Sequence, residues 1–120
     1  MAAKVRELIE DIVWGASSLK ITPTATDPDS DVYAKTVKVC KDHVCCIMLD
    51  PRKVLTELEV WARQQIKKHF DTGTKIMHIR NQMHGETLAS VTKLEIHHYN
   101  IANLYGEVAR GIRVVLYFNK

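Results

Sequence analysis

The sequence contains few of the residues that interrupt regular structure, since only three prolines and five glycines occur among its 120 residues. It has no run of about 18 consecutive apolar residues, so a membrane-spanning helix is not expected. The N-terminal stretch carries Arg6, Glu7 and Glu10 among its apolar residues, and it therefore lacks the apolar segment of a secretory signal peptide. We expect a soluble protein of the cytoplasm or another reducing intracellular compartment, with no membrane partner.

Cysteine is also scarce, and all three copies lie in the stretch VCKDHVCC, residues 39–46. If Lys41-Asp42 is a hairpin turn, the adjacent Cys45 and Cys46 point to opposite faces of a sheet. Only Cys40, His43 and Cys45 could then converge, and residues two apart on one strand lie about 7 Å from each other, whereas zinc requires ligands at about 2.0–2.3 Å. The sequence therefore predicts free cysteines, no metal site and no cofactor.

The overall composition is that of one globular domain, residues 1–120, with 46% hydrophobic and 26% charged residues. Apolar residues at offsets of three and four predict a first helix over residues 3–14 that ends at Gly15. A stretch rich in Ser, Thr, Asp and Pro predicts an exposed loop over residues 22–31. Asp50 and Pro51 predict the start of a second helix, which we expect to end near Phe70.

The remaining segments favour β-structure, because they are rich in β-branched and aromatic residues. We expect strands at 74–83, 87–99 and 107–120, with turns at 84–86 and 100–106, and two further strands within 33–49. This predicts an α+β fold, an antiparallel sheet of about five strands with two helices on one face, in the order α-β-β-α-β-β-β. The predicted core contains Val37, Val39, Val44, Leu58, Trp61, Ile66, Val114 and Leu116.

Basic residues are the strongest functional signal, because Lys and Arg outnumber Asp and Glu by seven to three over residues 52–80. Such residues can bind phosphates without sequence preference. Part of this charge has a structural alternative, since cations near the end of a helix stabilise its dipole. The predicted nucleic-acid-binding residues are Arg63, Lys67, Lys68, Lys75, Arg80, Arg110 and Arg113.

Arg110 and Arg113 are an odd number of residues apart, so a regular strand would place them on opposite faces. A β-bulge at Gly111 could bring them together. Tyr99 or Tyr105 could add stacking to bases. The aromatic submotifs of an RNA-recognition sheet are not present in the sequence.

Histidines offer an enzymatic alternative. His97 and His98 face opposite ways in a strand, and His78 could be a cross-strand neighbour of one of them, as a pair for acid–base chemistry. No catalytic motif accompanies them, and we assign no catalytic residue. The sequence therefore favours a protein that is not an enzyme.

The last segment, RGIRVVLYF at 110–118, is apolar on both faces of its predicted strand. One face would be core, and the other must be covered, which favours a homodimer. We therefore expect a small non-catalytic binding protein, homodimeric, with RNA or DNA as a possible partner. The alternatives are a protein-interaction or assembly module without a nucleic-acid role, and a small enzyme that uses sheet histidines.

Overall fold

The computed structural model describes residues 2–18, 27–44 and 50–118, and this part of the chain is almost entirely helical, with no β-strand. Four helices follow one another: α1 (Ala2–Ser18), α2 (Asp27–Val44), α3 (Pro51–Arg80) and α4 (Glu86–Phe118). The predicted α+β fold with a five-stranded sheet is therefore wrong. None of the described helices is long and apolar enough to cross a membrane.

Helix α1 forms where its apolar spacing predicts a helix. Val5, Ile9 and Val13, each four residues from the next, are buried and form one continuous stripe. The helix continues to Ser18, although the sequence predicts an end at Gly15. One glycine in a helix costs about 1 kcal/mol relative to Ala, and the buried stripe on the turns before it outweighs that cost.

Helix α2 replaces the predicted hairpin of residues 33–49. Its buried side chains are Val32, Thr36 and Cys40, again at intervals of four rather than two. The proposed turn at Lys41-Asp42 lies inside the helix. The predicted loop is also too long, because α2 begins at Asp27; residues 22–26 and 45–49 lie outside the described part of the chain.

Helix α3 begins as predicted. The Asp50 side chain caps it by accepting a hydrogen bond from the Lys53 backbone N–H (3.2 Å), and Pro51 occupies the first turn. The helix continues ten residues beyond the expected end at Phe70, as far as Arg80. The predicted strand at 74–83 is therefore wrong.

Helix α4 contains the predicted strand at 87–99, the turn expected at 100–106 and residues 107–118 of the last predicted strand, so these predictions are wrong; residues 119–120 lie outside the described part of the chain. The physical reason is its buried stripe, which repeats at offsets of three and four and so has the helical period. The run of apolar residues at 114–118 conceals that period, and β-propensity is a weak signal that packing overrides. The stripe consists of Ile101, Leu104, Tyr105, Val108, Ile112 and Val115.

Residues 81–85 connect α3 to α4 as a tight turn. Gly85 has a φ of 83°, a backbone conformation that glycine adopts without a Cβ clash. The turn predicted at 84–86 is therefore present, but it joins two antiparallel helices rather than two strands.

The α3–α4 hairpin is longer than the two helices packed on it, and the molecule measures 56 × 23 × 21 Å. Buried residues occur up to Gly73 on α3 and from Glu95 on α4, whereas no residue of 74–94 is buried. We call residues 74–94 the distal arm and the rest the bundle half.

The predicted core residues differ in how deeply they are buried. Leu58 and Trp61 are buried, and Val114 is half-buried. Four more are partly buried and pack against the core: Val37, Val39, Ile66 and Leu116. The side chain of Val44 is not among those that the structure describes.

Candidate functional site

The outer surface of α3 carries an unpaired cluster of positive charge. Lys67, Lys68 and Lys75 are exposed, and none of the three forms an ion pair with another described residue. Helical geometry places Lys68 and Lys75 two turns apart on one side of α3, with Lys67 beside them. These ammonium groups are therefore available to an anionic partner.

Arg63 and Arg113 meet at a shared carboxylate, although they lie on different helices. The Glu59 side chain is largely buried, and its Oε1 accepts from Arg63 Nε (3.3 Å) and lies 3.3 Å from an Arg113 terminal nitrogen. Both arginines are more than half exposed, at 55% and 68%, so the pairs add little to stability. One carboxylate between two guanidinium groups leaves a net positive charge at the α3–α4 junction.

Arg80 is directed inward, in contrast to the other predicted residues on α3. Its Nε lies 2.5 Å from Oε1 of Glu95 on α4, and Glu95 is largely buried. The contact is an ion pair between opposite charges, and Arg80 Nε has no hydrogen-bond partner among the described residues. A phosphate would have to displace this carboxylate, and Arg80 is therefore a poor candidate for anion binding.

Arg110 and Arg113 lie on the same side of α4 because they are three residues apart in a helix. Arg110 is exposed, pairs with Glu107 and lies over the Tyr33 ring of α2, 5.1 Å from its centroid. The predicted bulge at Gly111 does not exist. A Cβ at this position would lie 3.1 Å from the Thr36 side chain, so Gly111 lets α2 and α4 pack closely.

An aromatic pair lies one helical turn from Lys67. Phe70 of α3 is 56% exposed, and its ring centroid lies 5.4 Å from that of Tyr99 on α4, with the planes inclined by 49°. Gly73 makes room for Tyr99, because a Cβ there would lie 2.6 Å from the ring. Tyr99 was predicted from the sequence as a stacking residue, whereas Phe70 was not, although its position three residues after Lys67 places the two side chains side by side on a helix. Tyr105, the alternative stacking residue, is 1% exposed and is unable to reach a base.

A shallow groove lies at the opposite end of the hairpin. Arg52, Arg113, Leu116 and Tyr117 line it, and its volume is about 230 Å³. Arg52, Arg63 and Phe70 are 11 and 7 residues apart, close to whole numbers of turns, so they lie on one face of α3. The groove is therefore at one end of a surface that leads to the Phe70–Tyr99 pair.

The histidines form a cluster in the α1–α3–α4 interface. Nδ1 of His69 (α3) lies 3.2 Å from Nδ1 of His98 (α4), and the ring centroids are 5.5 Å apart. The nitrogens are much closer than the centroids, so the rings meet at their Nδ1 edges. The ring of Trp14 lies 6.4 Å from those of His69 and His97, whereas His78 is exposed on α3.

This geometry corrects the interpretation of the histidines as strand residues. His97 and His98 are about 100° apart on α4 rather than on opposite faces. Burial, followed by the neighbouring His98, Lys68 and His97, lowers the pKa of His69 below its ordinary value, and burial followed by His97 lowers the pKa of His98. The neutral imidazoles are therefore favoured in the folded protein.

Cys40 is a buried free thiol in α2, and burial raises its pKa to about 12. Three residues further along the helix, His43 is exposed. Within the described residues, no group of three or more His, Cys, Asp or Glu side chains is arranged to hold a metal ion. Cys45 and Cys46 lie outside the described residues, and the prediction that they are free stays a prediction.

Comparisons with known proteins returned no relative. No protein-family model matches the chain, and no curated protein and no solved structure is significantly similar to it.

Proposed function

We propose that the protein is a non-catalytic binding protein whose partner is a single-stranded nucleic acid, bound along the exposed face of α3 and the adjoining face of α4. The observation that carries the proposal is the exposed Phe70 ring, which is paired with Tyr99 and lies one helical turn from Lys67, a lysine that forms no ion pair with another described residue. Positive side chains bind the phosphate backbone, and exposed aromatic rings stack on unpaired bases.

The basic residues of the proposed interface differ in whether a carboxylate already pairs with them. Lys67, Lys68 and Lys75 are the members of the predicted basic set with no carboxylate partner among the described residues. Arg63 and Arg113 share Glu59 and contribute further positive charge at the helix junction. Arg80 and Arg110 each pair with a carboxylate of α4, so we exclude them from the proposed interface.

The surface also has suitable dimensions. From Arg52 to Phe70 along α3 is about 27 Å at 1.5 Å per residue, which is long enough for several nucleotides of an extended strand. The groove at Arg52 and Arg113 includes Tyr117, a second exposed aromatic ring. Basic and aromatic side chains thus occur at both ends, which favours a single strand with accessible bases over a duplex.

A salt titration with random single- and double-stranded RNA and DNA tests the proposal. We expect single strands to bind more tightly than duplexes, with log Kd changing by about 0.7 per log unit of salt for each phosphate neutralised. Changing Lys67 and Lys68 together to Ala should lower that slope by as much as about 1.4. Phe70→Ala should weaken single-strand binding by about 1–3 kcal/mol with little loss of stability.

The matched control is the double change Lys38→Ala and Lys41→Ala, which removes two exposed lysines from α2. It alters net charge equally but leaves the α3 surface intact, so the slope should stay close to the wild-type value. Absence of salt-sensitive binding at about 50 mM salt would contradict the proposal. Equal losses from the α2 and α3 variants would show attraction by net charge alone.

Self-association is a second candidate, favoured by exposed apolar residues on the distal arm. Ile79 follows Trp61 by about five turns of α3, and Leu94 precedes Tyr105 by about three turns of α4. In the bundle half Trp61 and Tyr105 pack together, with Arg6 of α1 over the Trp61 ring. Ile79 and Leu94 occupy the same face beyond α1, where they are 56% and 49% exposed.

A second copy offers the same apolar face, so two arms could cover each other about a two-fold axis. Sedimentation equilibrium should then show a dimer that Ile79→Lys together with Leu94→Lys dissociates. Tyr117→Lys is the control for an interface at the end of α4, where Tyr117 is 62% exposed. A monomer at high micromolar concentration would exclude self-association. Dissociation by Tyr117→Lys alone would place the interface at the end of α4 instead.

A further inference from the structure

The contact between His69 and His98 requires a particular number of protons. A hydrogen bond between two Nδ1 atoms 3.2 Å apart needs one nitrogen to donate and the other to accept. A neutral pair satisfies this with one Nδ1–H tautomer and one Nε2–H tautomer. When both imidazoles are protonated, both nitrogens are donors, so the hydrogen bond is lost and two positive charges face each other.

The contact lies where three helices meet. His69 is 7% exposed, and its ring is nearly parallel to that of Tyr105, with centroids 5.9 Å apart. Trp14 of α1 covers His69 and His97 and is itself 48% exposed. The Nδ1 of His97 is buried, with no hydrogen-bond partner among the described residues. Loss of the His69–His98 bond would therefore disturb the end of α1 as well as α3 and α4.

The neighbouring titratable groups do not compensate a second positive charge. Lys68 of α3 and His97 of α4 each oppose protonation of His69. Tyr105 is kept neutral by burial and by Glu10 of α1, which raise its pKa to about 12. Glu10 raises the pKa of Tyr105, and no described carboxylate is among the causes that shift the pKa of His69 or His98.

We propose that the His69–His98 contact is an acid-sensitive switch, which holds α1 on the α3–α4 hairpin at neutral pH and releases it when both imidazoles are protonated. The direction of the pH dependence follows from the linkage between proton binding and folding. Both histidines have a folded-state pKa below the ordinary value of 6.5, so the unfolded chain binds more protons. Stability is therefore complete above about pH 6.5 and decreases as the pH falls below it towards the lowered values.

Urea denaturation and thermal unfolding between about pH 7.5 and about pH 5.5 test the switch. Wild-type protein should lose stability over this range, with a fall in Tm on the order of 5 °C. His98→Gln keeps a hydrogen-bonding side chain but removes one titrating group and its repulsion of protonated His69, so the loss should become smaller, and the part that remains belongs to the buried His69. His78→Gln on the exposed surface of α3 is the matched control and should retain the wild-type pH dependence.

Two direct measurements separate this switch from general acid sensitivity. Fluorescence of Trp14, measured in comparison with a Trp14→Phe variant, should change over the same pH range, because histidine beside the indole becomes protonated and α1 then separates from the hairpin. NMR titration of wild-type histidine Cε1–H signals applies even if His98→Gln does not fold. A pKa of 6.5 or higher for both His69 and His98, or unchanged wild-type stability down to about pH 5.5, would overturn the proposal.

Discussion

The bundle half and the distal arm share the helices α3 and α4 but differ in burial. In the bundle half, α1 and α2 cover the hairpin, and side chains such as Leu58, Ile101 and Ile112 are fully buried. In the distal arm, residues 74–94, no side chain is buried, although Ile79 and Leu94 repeat the register of Trp61 and Tyr105. Helical structure therefore extends beyond the core, while the stabilising apolar burial is confined to one end.

The largest expected effect comes from the same substitution in the two regions. Leu58→Ala removes a side chain that is 0% exposed and should cost about 2–5 kcal/mol of unfolding free energy. Leu94→Ala removes one that is 49% exposed, and we expect a cost below about 1 kcal/mol. Urea denaturation of both variants measures the difference.

Equal losses for the two leucine variants would break the comparison, because Leu94 would then be covered in solution. Repeating the measurement at several protein concentrations would show whether a second copy of the chain buries Leu94. A Leu94→Ala cost that grows with concentration would indicate a second copy, since dimerisation adds to apparent stability by mass action.

A smaller effect is expected from two glycines of α4 that lie five residues apart. Gly111→Ala places a Cβ 3.1 Å from the Thr36 side chain and 3.2 Å from the Tyr33 carbonyl oxygen, which should cost about 1–3 kcal/mol. Gly106→Ala meets nothing within 4 Å and should stabilise the helix by about 0.4–1 kcal/mol. Thermal unfolding shows opposite shifts in Tm if α2 packs on α4 at Gly111. Stabilisation by both changes would contradict that packing.

The elements predicted correctly from the sequence are those with strong local signals. The apolar stripe of Val5, Ile9 and Val13 is visible in α1, and Asp50-Pro51 marks the start of α3 through its cap. The errors lie where β-branched and aromatic residues suggest strands, from Thr74 onwards and within α2. There the stripe of four-residue steps, such as Val32, Thr36 and Cys40, has the helical period, but neighbouring apolar residues obscure it.

The positive charge of the candidate site could be predicted from the sequence, but which of its side chains lie together could not. Lys67 and Lys68 are exposed because they lie opposite the apolar stripe of α3. Their exposure can therefore be predicted from the helical period of the sequence. The separation of Arg80 from the rest depends on Glu95, which is 15 positions away in sequence and on another helix. The pairing of Phe70 with Tyr99 likewise depends on how α3 and α4 align.

By itself, the sequence determined the local features of this protein: two helix starts, the turn before α4, and a surplus of positive charge on α3. These depend on neighbouring residues, so capping, glycine geometry and periodicity are sufficient to specify them. Only the tertiary structure decided that the later segments are helical, that His69 meets His98, and that the arm extends beyond α1. Those outcomes depend on apolar burial between distant segments, which overrides the weak strand preference of individual residues.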